Sequence, residues 1–200
     1  MKKTTISLLL LWCATIGAYA QSIVVTSGSA DFIKGQTSVQ FAFTYEDMLV
    51  GKLTESEYVD KKVNDYNGKQ AGKGEEWRQA WFNDRTERYE PKFLELFDKY
   101  MNEVGIASTG EGAGYVIEIN TDFTEPGWNV GVMRQNASVD LTCRVKKIDT
   151  DEQVAVIKIR NASANNFWGT DFIVGYRIQE TYAKAGRELA KFLIKKAKLK

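Results

Sequence analysis

The sequence predicts an α+β fold, a two-layer sandwich in which helices cover one face of a mainly antiparallel sheet. Three observations carry this. Three consecutive segments after Gly114 alternate apolar and polar residues, the period of half-buried strands. The segments on either side of them repeat apolar residues every three or four positions, the period of a helix. No repeat, low-complexity tract or linker divides residues 21–200, so they read as a single α+β domain.

The first twenty residues stand apart from that domain. Lys2 and Lys3 precede an apolar run from Ile6 to Ile16, which ends in Ala18-Tyr19-Ala20. A basic start, a short apolar middle and an A-x-A end make a cleavable secretory signal. The run is too short to span a bilayer. Residues 1–20 are therefore expected to be removed, leaving a chain that starts at Gln21.

Ile23 to Thr26 reads as a short strand and Asp31 to Lys34 as a second. Val39, Phe41, Phe43 and Tyr45 alternate with Gln40, Ala42 and Thr44, which predicts a half-buried strand. Thr54 and Glu57 have the spacing of a capping box and open a helix through about Asn67. Tyr58, Val59, Val63 and Tyr66 lie near one face of it. A second helix begins near Glu75, with Trp77 and Trp81 one turn apart on a shared face. Pro91 predicts a kink or restart, followed by a helix through Asn102 with an apolar stripe that includes Phe93, Phe97 and Met101.

A glycine-rich connector from Gly105 to Gly114 leads to three strands. Ile117 and Ile119, then Val139, Leu141, Cys143 and Val145, then Ala155, Ile157 and Ile159 form their apolar sides, an antiparallel meander. Asp149 to Glu152 is the turn between the last two. The final helix carries Ile178, Tyr182, Ala185, Leu189 and Phe192 on one stripe, with Leu193 beside it. Gly186 within it implies a close approach to the sheet. Lys191, Lys195, Lys196, Lys198 and Lys200 match the negative end of the helix dipole.

Composition excludes several chemistries. The chain has no histidine, so nucleophile–histidine catalysis and histidine-rich zinc sites are out. Of its two cysteines, Cys13 lies in the signal behind the bulky Trp12, a poor context for lipid attachment. Its removal leaves Cys143 without a disulfide partner. The remaining 25 basic and 26 acidic residues give no excess that suggests nucleic acid. No second apolar run reaches membrane length, so no transmembrane segment remains after the signal is removed. Asp149, Asp151 and Glu152 lack the glycine and final glutamate of a calcium loop, and no cofactor or metal is implied. Asn-Ala-Ser sequons at Asn136 and Asn161 read as chance.

Two aromatic segments are candidate contact sites. The first, from Phe123 to Gln135, is too apolar for a solvated connection. It is expected to fold back on the core, or to offer Trp128 and Arg134 as anchors. The second, from Asn161 to Gly175, presents Phe167 and Trp168 among asparagines. These aromatics either plug the end of the sandwich or form a carbohydrate or peptide subsite. The polar sheet face holds Glu118 and Asp122, the carboxylates an acid–base hydrolase would use. Its plainer reading is a solvated face with cross-strand ion pairs.

Three runs are distinctive together: RTERYEPKFLELF from Arg85, TEPGWNVGVMR from Thr124 and GYRIQETYAKAGRELAKF from Gly175. They resemble a family of small exported proteins of Bacteroidetes-type bacteria that carries no assigned function. The element order is also similar to envelope assembly domains of the curli-secretion and outer-membrane lipoprotein group, by fold analogy alone. The resemblance implies a periplasmic, outer-membrane-associated or secreted address and supplies no catalytic residues to carry over. The expectation is a non-catalytic cell-envelope module that binds protein or glycan through Trp128, Arg134, Phe167 and Trp168. The alternatives are a hydrolase of cell-wall or dietary glycan using Glu118 and Asp122, and a self-assembling subunit pairing through an edge strand.

Overall fold

A computed structural model describes residues 21–130, 133–164 and 174–200. In chain order the elements are β1 (Ser22–Gly28), β2 (Gln40–Thr44), β3 (Leu49–Val50), β4 (Leu53–Thr54), α1 (Glu55–Asn67), α2 (Lys73–Asp84) and α3 (Glu90–Met101). Then follow β5 (Tyr115–Glu125), β6 (Trp128–Val130), β7 (Met133–Gln135), β8 (Ala137–Lys147), β9 (Gln153–Ala164) and α4 (Val174–Ala197). The fold is α+β, with a mainly antiparallel sheet and helices on one face, as the alternation predicts.

The sheet runs β1-β9-β8-β5-β3-β4, with β2 also paired to β5. The predicted meander is its centre: β5 pairs antiparallel with β8, and β8 with β9. β1 adds antiparallel to β9 and forms an outer edge. β2 instead lies parallel to β5, from Gln40 opposite Val116 to Thr44 opposite Asn120. A parallel pair needs a long crossover, and α1, α2 and α3 supply it.

The apolar side of the meander is sealed. Ile117, Ile119, Leu141, Cys143, Val145, Ala155, Ile157 and Ile159 are all buried. Over them lie α3, through Phe93, Phe97 and Met101, and α4, through Ile178, Tyr182, Ala185, Leu189 and Leu193. Phe192 is only partly buried, so Leu193 takes the inner position. Phe41 joins β2 to α3 by edge contacts with Phe93 and Phe97, at ring-centroid separations of 5.8 and 4.8 Å. The predicted capping box forms: Thr54 Oγ1 accepts from Glu57 N–H, and the Glu57 carboxylate accepts from Thr54 N–H.

Three local expectations are corrected and one is sharpened. Asp31–Lys34 is not a strand; Ala30–Ile33 forms a 3-10 turn, because Ser29 Oγ caps it by accepting from Asp31 N–H. The restart expected at Pro91 is present: α3 opens at Glu90 with Pro91 in its first turn. A π turn over Arg85–Tyr89 joins α2 to α3, and Glu90 N–H donates five residues back to Arg85. The wider turn delivers Pro91 to the first turn of α3, where its missing N–H does no harm. The segment after Glu125, expected as a loop, instead carries β6 and β7, which form a separate two-stranded ribbon. Gly186 faces a helix rather than the sheet: a Cβ there would lie 2.2 Å from Phe93 O in α3.

Candidate functional site

The ribbon of β6 and β7 begins at a constrained turn. Gly127 has φ +68°, and a Cβ on it would meet Ala137 N at 2.6 Å and Gln135 O at 2.7 Å. Only glycine fits that left-handed, crowded position. Glu125 accepts from Gly127 N–H at 3.0 Å. From α4, the buried Arg177 donates through Nε to Pro126 O at 3.1 Å and through Nη2 to Gly127 O at 3.2 Å. One guanidinium therefore ties both turn residues to the helix layer, and the next residue out is Trp128.

Trp128 is 39% exposed, and its Nε1–H donates to Gln135 Oε1 across the ribbon at 3.2 Å. Its indole borders a cleft of about 280 Å³. A wall from α1 and α2 is aromatic: Tyr58 and Trp77 line the same cleft. These rings are locked into a larger cluster. Tyr58 meets Trp77 edge-on at 6.0 Å, while Trp77 stacks with Trp81 at 5.4 Å and with Tyr66 at 6.0 Å. Trp81 is fixed in turn by donation of its Nε1–H to Glu55 at 2.6 Å. The wall is thus preorganised, because its rings are immobilised by each other before any ligand arrives.

Polar groups converge on the same space. Among the described residues, Lys61 and Lys62 of α1 line it beside Arg177 and Glu125. The Lys62 ammonium lies 5.8 Å from the Tyr58 ring centroid and 6.0 Å from that of Tyr66. Apolar walls with a few directed polar groups are the usual make-up of a small-ligand site.

A wider hollow of about 480 Å³ lies between α3 and α4 beside Ser163 and Ala164. No aromatic ring lines it among the described residues, and several of its charged side chains are engaged. Lys92 pairs with Glu95, Lys184 Nζ donates to Ser163 O, and Arg187 pairs with Glu188. Size alone does not make it the better site.

The structure brings some of the sequence-predicted residues to the cleft and not others. Trp128 is there. Arg134 is exposed on β7 and pairs with Asn129, one register step from the Trp128–Gln135 pair, so it falls on the other face of the ribbon. Phe167 and Trp168 lie outside the described residues. Glu118 is ion-paired with Lys146 on the open sheet face at 2.9 Å. Asp122 accepts from Thr142 Oγ1 at 2.6 Å and from Asn120 Nδ2 at 3.0 Å. Asn120 also accepts from Thr44 Oγ1 and Glu46 N–H, so this network stitches β2 to β5 and β8. Among the described residues, no three acidic or cysteine side chains are placed to hold a metal ion.

The sequence reading missed Tyr58, Trp77, Lys61, Lys62 and Arg177 as cleft residues. Their shared helix faces were visible; their meeting with Trp128 depends on how α1 and α2 stand beside the ribbon.

No family model matches the chain, and no curated protein matches it. Among solved structures, PelC of Paraburkholderia phytofirmans, a dodecamer, aligns with 83% of this chain and 96% of its own. Its TM-score is 0.39 at 10% identity. A neuraminyllactose-binding hemagglutinin homolog of Helicobacter pylori aligns with 86% of this chain and 90% of its own, at TM-score 0.36 and 11% identity. At these scores neither likeness bears on what this chain does.

Proposed function

We propose that this protein is an exported, non-catalytic binding module of the cell envelope that takes glycan in the cleft beneath Trp128. The observation that supports this most is a half-exposed indole that shares one cleft with the rings of Tyr58 and Trp77 and with charged side chains. A pyranose ring has apolar C–H faces and a hydroxyl edge, so it suits flat aromatic walls bordered by hydrogen-bonding groups. The secretory signal in residues 1–20 supports the address. Among the described residues no helix is long and apolar enough to cross a membrane.

The test is titration of the chain from Gln21 onward with oligosaccharides of cell-wall and dietary origin, followed by tryptophan emission and calorimetry. Binding should be lost on Trp128→Ala, whose far-ultraviolet dichroism should match the parent. A folded Trp128→Ala variant that binds every sugar as the parent does would overturn the reading. So would turnover of any sugar that disappears with Glu118→Gln or Asp122→Asn.

A further inference from the structure

Charge is unevenly placed at one end of the helix layer. Residues 21–200 carry 25 basic and 26 acidic side chains, yet residues 191–200 hold five lysines and no acid. All five, Lys191, Lys195, Lys196, Lys198 and Lys200, are exposed, and among the described residues none is ion-paired. Lys191 and Lys196 lie over the rings of Tyr100 and Phe192, 4.8 and 5.7 Å from the centroids, which orients them and leaves their charge in place. Helix geometry accounts for part of the cluster. α3 and α4 run side by side in the same direction: Tyr89 stacks on Tyr182, Phe93 meets Gly186 and Tyr100 lies beneath Lys191. Their C-terminal ends therefore share one end of the layer, where the two dipoles together amount to roughly one negative charge. On the α3 side Lys99 offsets one of Asp98 and Glu103, and Asp98 already accepts from Ser108 N–H and Oγ at 2.8 and 2.7 Å. The five lysines exceed these negative charges. Lys191 also lies ahead of the last turn of α4, beyond the reach of the dipole.

Lys198 is a second sign that the charge is not there for the helix. It has φ +54°, the left-handed conformation glycine usually takes just past a helix end, and Leu199 N–H closes the turn by donating to Ile194 O at 3.0 Å. Lysine is strained there and glycine is not. Between the lysines, Phe192, Ile194 and Leu199 are only half-buried and leave apolar edges beside the ammonium groups. None of the five lysines lines the cleft or the hollow, so their charge is presented outward. We propose that the protein docks on an anionic phospholipid surface through Lys191, Lys195, Lys196, Lys198 and Lys200. An extended layer of phosphate headgroups meets cations spread around a helix end, and the apolar edges then rest at the acyl boundary. Each lysine near such a surface contributes roughly fivefold in affinity, and salt screens the attraction. The cleft lies toward the other end of α4, since the rise of a helix puts roughly 27 Å between Arg177 and Lys195. Docking by the lysine end leaves the cleft open, and it does not depend on what the cleft binds.

The test is co-sedimentation of the chain from Gln21 onward with vesicles of phosphatidylcholine alone and of phosphatidylcholine with about one third phosphatidylglycerol. At low salt the anionic vesicles should carry the protein down and the neutral ones should not, and about 0.5 M salt should release it. Lys191→Gln/Lys195→Gln, with dichroism matching the parent, should weaken anionic binding about thirtyfold. Lys52→Gln/Lys69→Gln removes the same charge elsewhere and should bind as the parent does. Lys198→Gly should weaken binding about fivefold without lowering the melting temperature, since glycine suits that backbone. Equal sedimentation with neutral and anionic vesicles would overturn the proposal. So would a loss of binding shared equally by the two double variants, because net charge and not this surface would then be responsible. Binding to soluble polygalacturonate as tight, charge for charge, as to the anionic vesicles would overturn it as well, because the lysines would then receive an acidic polymer and not a membrane.

Discussion

Gly127 shows how much of the candidate site hangs on one residue. Its φ of +68° is open to other residues only at a cost, and a Cβ would press into the backbone where β8 begins. The left-handed conformation alone costs a substituted residue roughly 1–2 kcal/mol, and backbone overlap adds to that. Gly127→Ala should therefore lower stability by about 2 kcal/mol or more, read from the urea midpoint. It should also change the emission of Trp128, since the turn carbonyls that Arg177 holds must move. An alanine variant with parental stability and parental emission would show that the turn does not position the indole.

At the scale of elements, the junction of α2 and α3 carries a consequence for pH. Asp84 closes α2 and Glu90 opens α3, so the two carboxyls flank the π turn. Burial pushes both above their ordinary values of 3.8 and 4.5, although Arg88 beside Asp84 and Tyr45 beside Glu90 pull the other way. In the window above those ordinary values, the folded state holds protons that the unfolded chain has released. The free energy of unfolding must then fall as pH rises through that window. The stability these two groups allow is present in full below the ordinary carboxylate range and is lost as pH rises through their raised folded values. Asp31 and Glu57, lowered by hydrogen bonds, act oppositely, and their contribution is lost in strong acid. Urea midpoints should thus rise as pH is lowered from neutral toward the ordinary carboxylate range, and Asp84→Asn with Glu90→Gln should flatten that rise. A double variant with an unchanged slope would remove these two groups as its source. The same junction marks where sequence reading ran short. The capping box at Thr54 and the stripe of α4 depend on residues close in the chain, so they were legible. A π turn that absorbs Pro91 depends on α3 having to lie over the sheet, which no local spacing encodes.

For the molecule as a whole, the meander and the helix layer could be read because burial imposes a period on every strand and helix that faces the core. The parallel seat of β2 and the cleft could not, because both arise from elements far apart in sequence: α1 and α2 meet the ribbon, and Gln40 meets Val116. One whole-molecule property does follow from composition and position together. Without Cys13 the chain has a single thiol, and Cys143 is fully buried in β8, between its partners β5 and β9. Burial, and secondarily the carboxylate of Asp122, pushes that thiol up to about 12, so almost none of it is thiolate near neutral pH. Reaching it requires parting the central strands, which amounts to opening the core itself. Two outcomes follow for the chain from Gln21 onward. Its melting temperature should be the same with and without a reductant, because no intramolecular disulfide exists to reduce. A thiol reagent should label Cys143 only as fast as the core opens, so labelling should accelerate in step with urea-induced unfolding. Rapid labelling of the native protein in the absence of denaturant would mean that the central strands separate locally, and that the sheet is not the cooperative unit its packing implies.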